Sequence, residues 1–286
     1  MPEGPEIKII ADTLNKILSN KGYVIENVSV EETSKYYGKE SSPKFSLVKG
    51  LSLGNILPYG KKIIFTFEES EFPVMVSSLG LEGHWLLIDS FDHAKKFPHV
   101  SFIFSLRNKD SEELNFLIYA DSRHFGLLSI AKNAEEYEFL MKDVGPSWLH
   151  DTIHFMDFFS MLHNKRFKSD KKIVDFLVEQ KYYSGIGNYM RSEILYVAGI
   201  SPHRTLQSIN VAEARRIYDA IYYVIEAALK ANGHTLHSYF TPIGNSGGYE
   251  PIIYGRKVTN DDLVVEVVSE KDKSDRMFHW APSLQE

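Results

Sequence analysis

The 286-residue chain reads as an α+β protein in two domains, and three observations predict this. Apolar residues recur at helical spacing at the start of the chain. Short apolar and β-branched runs follow across 22–130, divided by Gly, Asn, Pro and charge clusters. From about 152 to 238 the pattern becomes helical. Such strand spacing suits a β-sandwich or barrel. The boundaries expected are 1–135 for a β domain with its opening helix, 136–240 for a helical domain, and 241–286 for a short β-containing tail.

The first helix is carried by Ile7, Ile10, Ala11, Leu14, Ile17 and Leu18. The strands expected next lie at 24–30, 62–67, 74–79, 85–88, 100–106, 114–119 and 126–130. Gly145-Pro146-Ser147 breaks the pattern. Helices are expected at 154–163, 170–182, 189–198 and 210–231. A Pro/Gly-rich loop occupies 241–253. The tail is then read as a strand at 263–268, a polar turn at 269–275 and a return strand at 276–280.

Composition narrows the function classes. Apolar residues make up 43% of the chain, enough for real cores, and no run has the length of a membrane span. Acids and prolines directly after Met1 leave no room for a secretory leader. With no cysteine, disulfides and Cys-ligated metal sites are excluded. The net charge of −6 argues against a generally basic nucleic-acid binder, but it hides an asymmetry. Residues 161–216 hold ten Lys/Arg against five Asp/Glu, so this segment is +5 and the remainder −11. A local basic patch is what phosphate binding requires; an ordinary solvated helical surface has the same composition.

Two stretches carry chemistry. The chain opens Met1-Pro2-Glu3-Gly4-Pro5-Glu6. Removal of Met1 would leave Pro2 with a free secondary amine. An α-amine has a pKa of about 7.7–8.0 against about 10.4 for Lys, so roughly 300-fold more of it is free base at neutrality. Such an amine can attack a sugar carbon and form a Schiff base, with Glu3 and Glu6 at hand to move protons. Taken alone, the same residues are an ordinary helix start, since Pro and acids suit a first turn. The second stretch is Ser184-Gly185-Ile186-Gly187-Asn188-Tyr189, between two helical segments in the basic region. Small glycines let backbone approach a phosphate, and the following helix offers N–H groups. A tight helix–helix turn uses the same pattern. His234-x-x-His237 has metal-ligand spacing but no third ligand, and it also suits a polar helix end. Tyr182-Tyr183 and Tyr222-Tyr223 could stack on bases or line a core, the reading favoured here.

Together these stretches resemble the formamidopyrimidine-DNA glycosylase/endonuclease VIII family. The likeness runs in order along nearly the whole chain. Gly60-Lys61, Ser78-Leu79-Gly80-Leu81-Glu82-Gly83, Asp121-x-Arg123-His124-Phe125-Gly126, Gly145-Pro146 and Tyr254-Gly255-Arg256-Lys257 also match its pattern. The resemblance implies a β-sandwich with an N-terminal helix, a helix-two-turn-helix and a finger hairpin. It implies a bifunctional glycosylase and abasic-site lyase of base excision repair, which excises oxidised bases through a Schiff base on Pro2 and then cuts the strand by β/δ-elimination.

By the same resemblance, Pro2 attacks C1′, Glu3 assists sugar opening and proton transfer, and Glu6 supports proton abstraction. Lys61 and Asn188 grip phosphates. Leu81, Arg123 and Phe125 fill the gap left by a flipped base, a role with physical sense because something must replace the lost stacking. Arg276-Met277-Phe278 resembles the second strand of a zincless finger, whose arginine reaches the lesion phosphates. The sequence departs from the family pattern in three places. The four finger cysteines are absent, so no metal is expected. His124 stands where the family has a second arginine. The 241–253 loop is shorter than in members that cap 8-oxoguanine, which favours oxidised pyrimidines and formamidopyrimidines.

The partner expected is damaged DNA, double- or single-stranded, with no membrane, no dissolved cofactor and a monomeric, intracellular protein. Two rivals are weaker: a non-catalytic lesion-binding module of the same fold, which would not need Pro2, Glu3 and Glu6 together, and an unrelated helix–turn–helix binder of DNA or RNA, which the net charge of −6 disfavours.

Overall fold

A computed structural model of the chain describes residues 2–19, 21–39, 42–68, 70–235 and 239–286. The chain forms two compact units. The first comprises Met1–Pro2, Glu6–Asp143 and Thr235–Gly247; the second comprises Glu3–Pro5, Val144–His234 and Gly248–Glu286.

The first unit is a sandwich of two antiparallel four-stranded sheets. One has the order β1 (Tyr23–Val30), β6 (Val100–Asn108), β7 (Leu114–Ala120), β5 (His84–Ile88). The other has the order β2 (Leu53–Tyr59), β3 (Lys62–Phe67), β4 (Ser70–Ser78), β8 (Leu127–Ala131). Helix α1 (Gly4–Leu18) buries Ile7, Ile10, Ala11, Leu14 and Leu18 in the same core as Phe65, Phe102 and Phe104. Trp85 sits at the centre of that core, its ring 5.0 Å from Tyr119 and 5.2 Å from Phe65, and its indole N–H donates to Ser77 Oγ at 3.1 Å.

Both sheets are also covered on part of their outer faces. Helix α2 (Phe91–Lys96) puts Ala94 against Ile103, Phe116 and Ile118. Helix α3 (Ala134–Met141) lays Tyr137, Leu140 and Met141 on Ile64, Val74 and Val76. That double cover explains why these strands read as apolar runs instead of clean alternation, which a one-sided sheet would show. The sequence reading missed β2, whose Gly54, Asn55 and Pro58 obscure a strand pattern, and the two short covering helices.

The second unit is built on helices α4 (Phe155–Leu162), α5 (Ile173–Phe176), α6 (Asn188–Ala198) and α7 (Val211–Lys230). Helix α7 starts in a full capping box, with Asn210 accepting from Glu213 N and Glu213 accepting from Asn210 N. Trp148 gathers Phe158, Tyr183, Tyr218 and Tyr222 around its ring. The helix expected over 170–182 shrinks to the four residues of α5. Beyond it, Gln180 turns its side chain into the following loop: Nε2 donates to Val178 O and Ile186 O, and Oε1 accepts from Gly185 N.

The tail ends in a two-stranded hairpin, β9 (Val268–Lys271) and β10 (Met277–Trp280). The strand expected at 263–268 is corrected. Leu263 and Val264 are exposed, and Val264 has φ +46°. Their β-branched neighbours serve a compact loop in which Thr259 N donates to Val265 O. Arg276 accordingly lies in the hairpin turn and not on the return strand. Among the described residues no helix is long and apolar enough to cross a membrane.

Candidate functional site

In the second unit the start of the chain is fastened to the start of α6. The N-cap of that helix, Gly187, has no side chain to accept the free N–H groups of the first turn. Glu3 does it instead. Its Oε2 accepts from Gly187 N at 2.6 Å and Met190 N at 3.3 Å, and its Oε1 accepts from Tyr189 N at 3.0 Å. Glu3 is 2% exposed, so a buried carboxylate here meets three N–H donors and the positive end of a helix. Gly4 N adds a bond to Gly185 O at 2.8 Å. The glycines have a steric reason. Gly185 has φ +112°, and a Cβ on Gly4 would lie 2.6 Å from Leu149 Cδ1 and 3.2 Å from Gly185 Cα. Asn188 is the first helical residue and is half-buried.

Along α6 three further polar side chains are buried, and each ties a piece of the tail. Glu193 accepts from Ile252 N, Ile253 N, Tyr254 N and the Tyr249 hydroxyl at 2.7–3.1 Å. Burial pushes its carboxyl up despite these donors. Ser192 Oγ accepts from His279 N at 3.1 Å. Arg191 pairs with Asp272 at 2.6 Å with both side chains fully buried. Asp272 also holds Arg276 Nε at 2.9 Å.

In the first unit Pro2 and Glu6 are both buried. The hydroxyl of Tyr239 is pushed up by burial and by the negative charge of Glu6. Lys61 is half-buried in the tight turn between β2 and β3, where Gly60 takes φ +58°. The adjacent Lys62 is not a solvated edge residue: its ammonium donates to Leu140 O, and burial pulls its pKa down.

Leu81, Arg123 and Phe125 lie on two loops that pack together. A Cβ on Gly80 would lie 2.6 Å from Gly126 N. Asp121 shapes the second loop, accepting from Arg123 N at 3.1 Å and Gly126 N at 2.7 Å. Lys35 closes it from the other side, donating to His124 O and Gly126 O at 2.8 and 2.6 Å. The loop thus holds Phe125 outward at 61% exposure, although a large apolar side chain gains from burial. Arg123 Nε is held by Glu82 at 2.9 Å.

The contacts made by Lys35, Glu82, Arg191, Glu193 and Asp272 were not expected from the sequence. Only α6 carried a usable signal, an arginine and a glutamate set among its apolar residues. Of the tyrosines, Tyr183 belongs to the core, Tyr222 packs half-buried against it, Tyr223 is exposed, and Tyr182 stacks on Phe176. His234 is buried against Tyr189 at 4.7 Å; His237 lies outside the described residues. No cluster of three His, Cys, Asp or Glu side chains among the described residues is placed to hold a metal.

Comparison with known proteins follows the same division of the chain. A family model described as the formamidopyrimidine-DNA glycosylase N-terminal domain matches residues 1–128, and one described as the formamidopyrimidine-DNA glycosylase H2TH domain matches 149–239. A formamidopyrimidine-DNA glycosylase of Bacillus cereus is 30% identical over 289 aligned residues, covering 100% of this chain and 99% of its own. The crystal structure of the MutM (Fpg) protein from Thermus thermophilus superposes with a TM-score of 0.80 at 25% identity, covering 99% of this chain and 98% of that one. The Lactococcus lactis Fpg in complex with DNA containing an abasic site has a TM-score of 0.81 at 23% identity, covering 99% of each chain, a likeness of fold.

Proposed function

The chain belongs to the formamidopyrimidine-DNA glycosylase family, and we propose on that basis that it is a bifunctional enzyme acting through its N-terminal proline. Its activity is that of a DNA glycosylase of base excision repair. Its substrate is damaged DNA, with oxidised pyrimidines and formamidopyrimidines favoured. With Met1 removed, the Pro2 nitrogen bonds to C1′ of the damaged nucleotide, the glycosidic bond breaks, and the base leaves with a proton. The ring oxygen takes a proton as the sugar opens to an iminium ion. Loss of a C2′ proton then expels the 3′ phosphate, and a second elimination expels the 5′ phosphate.

The observation that carries this reading is the seat of Glu3. A buried carboxylate beside the terminal residue, bonded by three N–H groups of the Gly185-x-Gly187 helix, holds the chain start in one place. A surface helix start needs no such tether. In this reading Glu3 assists sugar opening and Glu6 supports proton abstraction. Lys61, Asn188 and Arg276 grip phosphates, which position the duplex without reading its sequence. Leu81, Arg123 and Phe125 replace the flipped base.

Borohydride reduction on abasic DNA tests the central step. The chain beginning at Pro2 is expected to form a covalent complex, and the chain retaining Met1 is not. Undiminished trapping with Met1 in place would move the nucleophile to an internal lysine. Glu3→Gln is expected to impair base excision more than cleavage of a preformed abasic site, since glycosidic cleavage needs proton support at the sugar. Equal loss of both would reduce Glu3 to a tether.

A further inference from the structure

Arg276, in the turn of the hairpin, is tied to Asp272 and Arg191 through both its backbone and its Nε. Asp272 Oδ2 accepts from Arg276 Nε at 2.9 Å and from Arg191 Nη1 at 2.6 Å. Asp272 Oδ1 accepts from Arg276 N at 3.0 Å and Ser274 N at 2.8 Å. The backbone closes the same turn, with Asp272 N donating to Arg276 O at 3.0 Å. Arg191 Nη2 donates to Arg276 O and Met277 O, each at 3.2 Å, and Arg191 Nη1 reaches Val174 O.

The two inner side chains, Arg191 and Asp272, are fully buried, whereas Arg276 is 40% exposed. Both backbone and Nε of Arg276 are therefore fixed from within. Among the described residues its two Nη groups make no bond. Arg276 borders a cavity of about 390 Å³ whose wall carries both signs, Arg166, Lys168 and Lys273 beside Asp170, Asp175 and Glu179. A guanidinium held at Nε still presents two coplanar Nη groups, the fork that fits two oxygens of one phosphate.

We propose that Asp272 is a positioning residue: anchored by Arg191 of α6, it holds the Arg276 fork ready for a DNA phosphate. The proposal rests on the reading of Arg276 as a phosphate contact. Its physical content is preorganisation. An arginine free to rotate must be ordered when DNA binds, whereas this one is ordered beforehand.

The test is binding of a duplex carrying a tetrahydrofuran abasic-site analogue, measured over a series of salt concentrations. Arg276→Ala should weaken binding roughly tenfold or more, as loss of a charge-assisted bond does. It should also flatten the salt slope by about one. Asp272→Asn should weaken binding by a similar factor while keeping the slope, because the Arg276 charge remains. Asp272→Asn combined with Arg276→Ala should bind no worse than Arg276→Ala alone. If the two losses add, Asp272 serves only the fold and the proposal is overturned.

Wild-type binding by Asp272→Asn, with Arg276→Ala impaired, also overturns it and leaves the phosphate contact standing. Wild-type binding by Arg276→Ala overturns the phosphate contact itself. Because removing one member of a buried pair can unfold a protein, Arg191→Met with Asp272→Leu removes both charges together. That variant should match Asp272→Asn in affinity; wild-type affinity in it overturns the proposal.

Discussion

Arg123 in the first unit and Arg276 in the second are held alike, each by a carboxylate oxygen 2.9 Å from its Nε. Their surroundings differ. Glu82 is 31% exposed and takes its other bond from Ser122 Oγ, itself on the exposed loop. Asp272 is fully buried and is bonded by two backbone N–H groups and a second, buried arginine. An exposed pair gains modest Coulomb energy and is screened by salt. A buried pair has lost its water, so removing one member leaves a charge with nothing to solvate it. The same contact can therefore release in one place and must persist in the other. That division fits the roles proposed for them: Arg123 enters a gap in the duplex, while Arg276 meets a phosphate from a fixed position.

Four measurements break or sharpen the comparison. The largest effect is expected from Arg191→Ala, which removes one of the two cations of the fully buried Asp272, leaving Arg276 Nε and two backbone N–H groups, and should cost about 3–5 kcal/mol in denaturant unfolding. A cost under about 1 kcal/mol would mean the buried pair behaves like the exposed one.

Acid should then discriminate further. Burial, reinforced by the charge of Arg256, lowers the His234 pKa to about 4. The unfolded chain takes up this proton below about 6.5, and the folded chain only near 4. Stability is thus complete above about pH 6.5 and falls as pH drops toward about 4, by about 3 kcal/mol in all. His234→Phe should flatten that part of the stability profile; an unchanged profile would assign the acid response elsewhere.

Asp121→Ala should come next, at about 1–3 kcal/mol, because it removes the acceptor of the buried Gly126 N–H. Its effect on binding should follow from a disordered Phe125, seen as loss of discrimination between damaged and intact duplex. Retained discrimination would show that Lys35 alone shapes this loop. Smallest is Glu82→Gln, for which no change in melting temperature is expected. The measurable outcome is a changed preference for the base opposite the lesion. A clear drop in melting temperature would place Glu82 among the buried ties and remove the contrast from which these predictions start.

Helix α1, most strands, α4, α6 and α7 were legible in the chain because local rules produce them: apolar spacing, capping residues and turn glycines act within a few residues of one another. So was the Gly185-Gly187 loop before α6, since paired glycines stand out as residue types. The strand expected at 263–268 failed because β-branched residues favour a strand only where a partner edge is available. Here Thr259 and Val265 close a loop first.

Tertiary structure alone decided which charges are buried. Nothing near Glu3 in the chain marks it as the cap of a helix that starts at Asn188, and nothing near Asp272 marks it as the partner of Arg191. Acidic and basic residues read as solvated by default, because ionised groups bury only when a partner offsets their lost hydration. That partner is supplied by chain distant in sequence. The sequence by itself therefore determined most of the elements and offered a candidate nucleophile, and the fold decided which charged side chains are buried and which partners hold them.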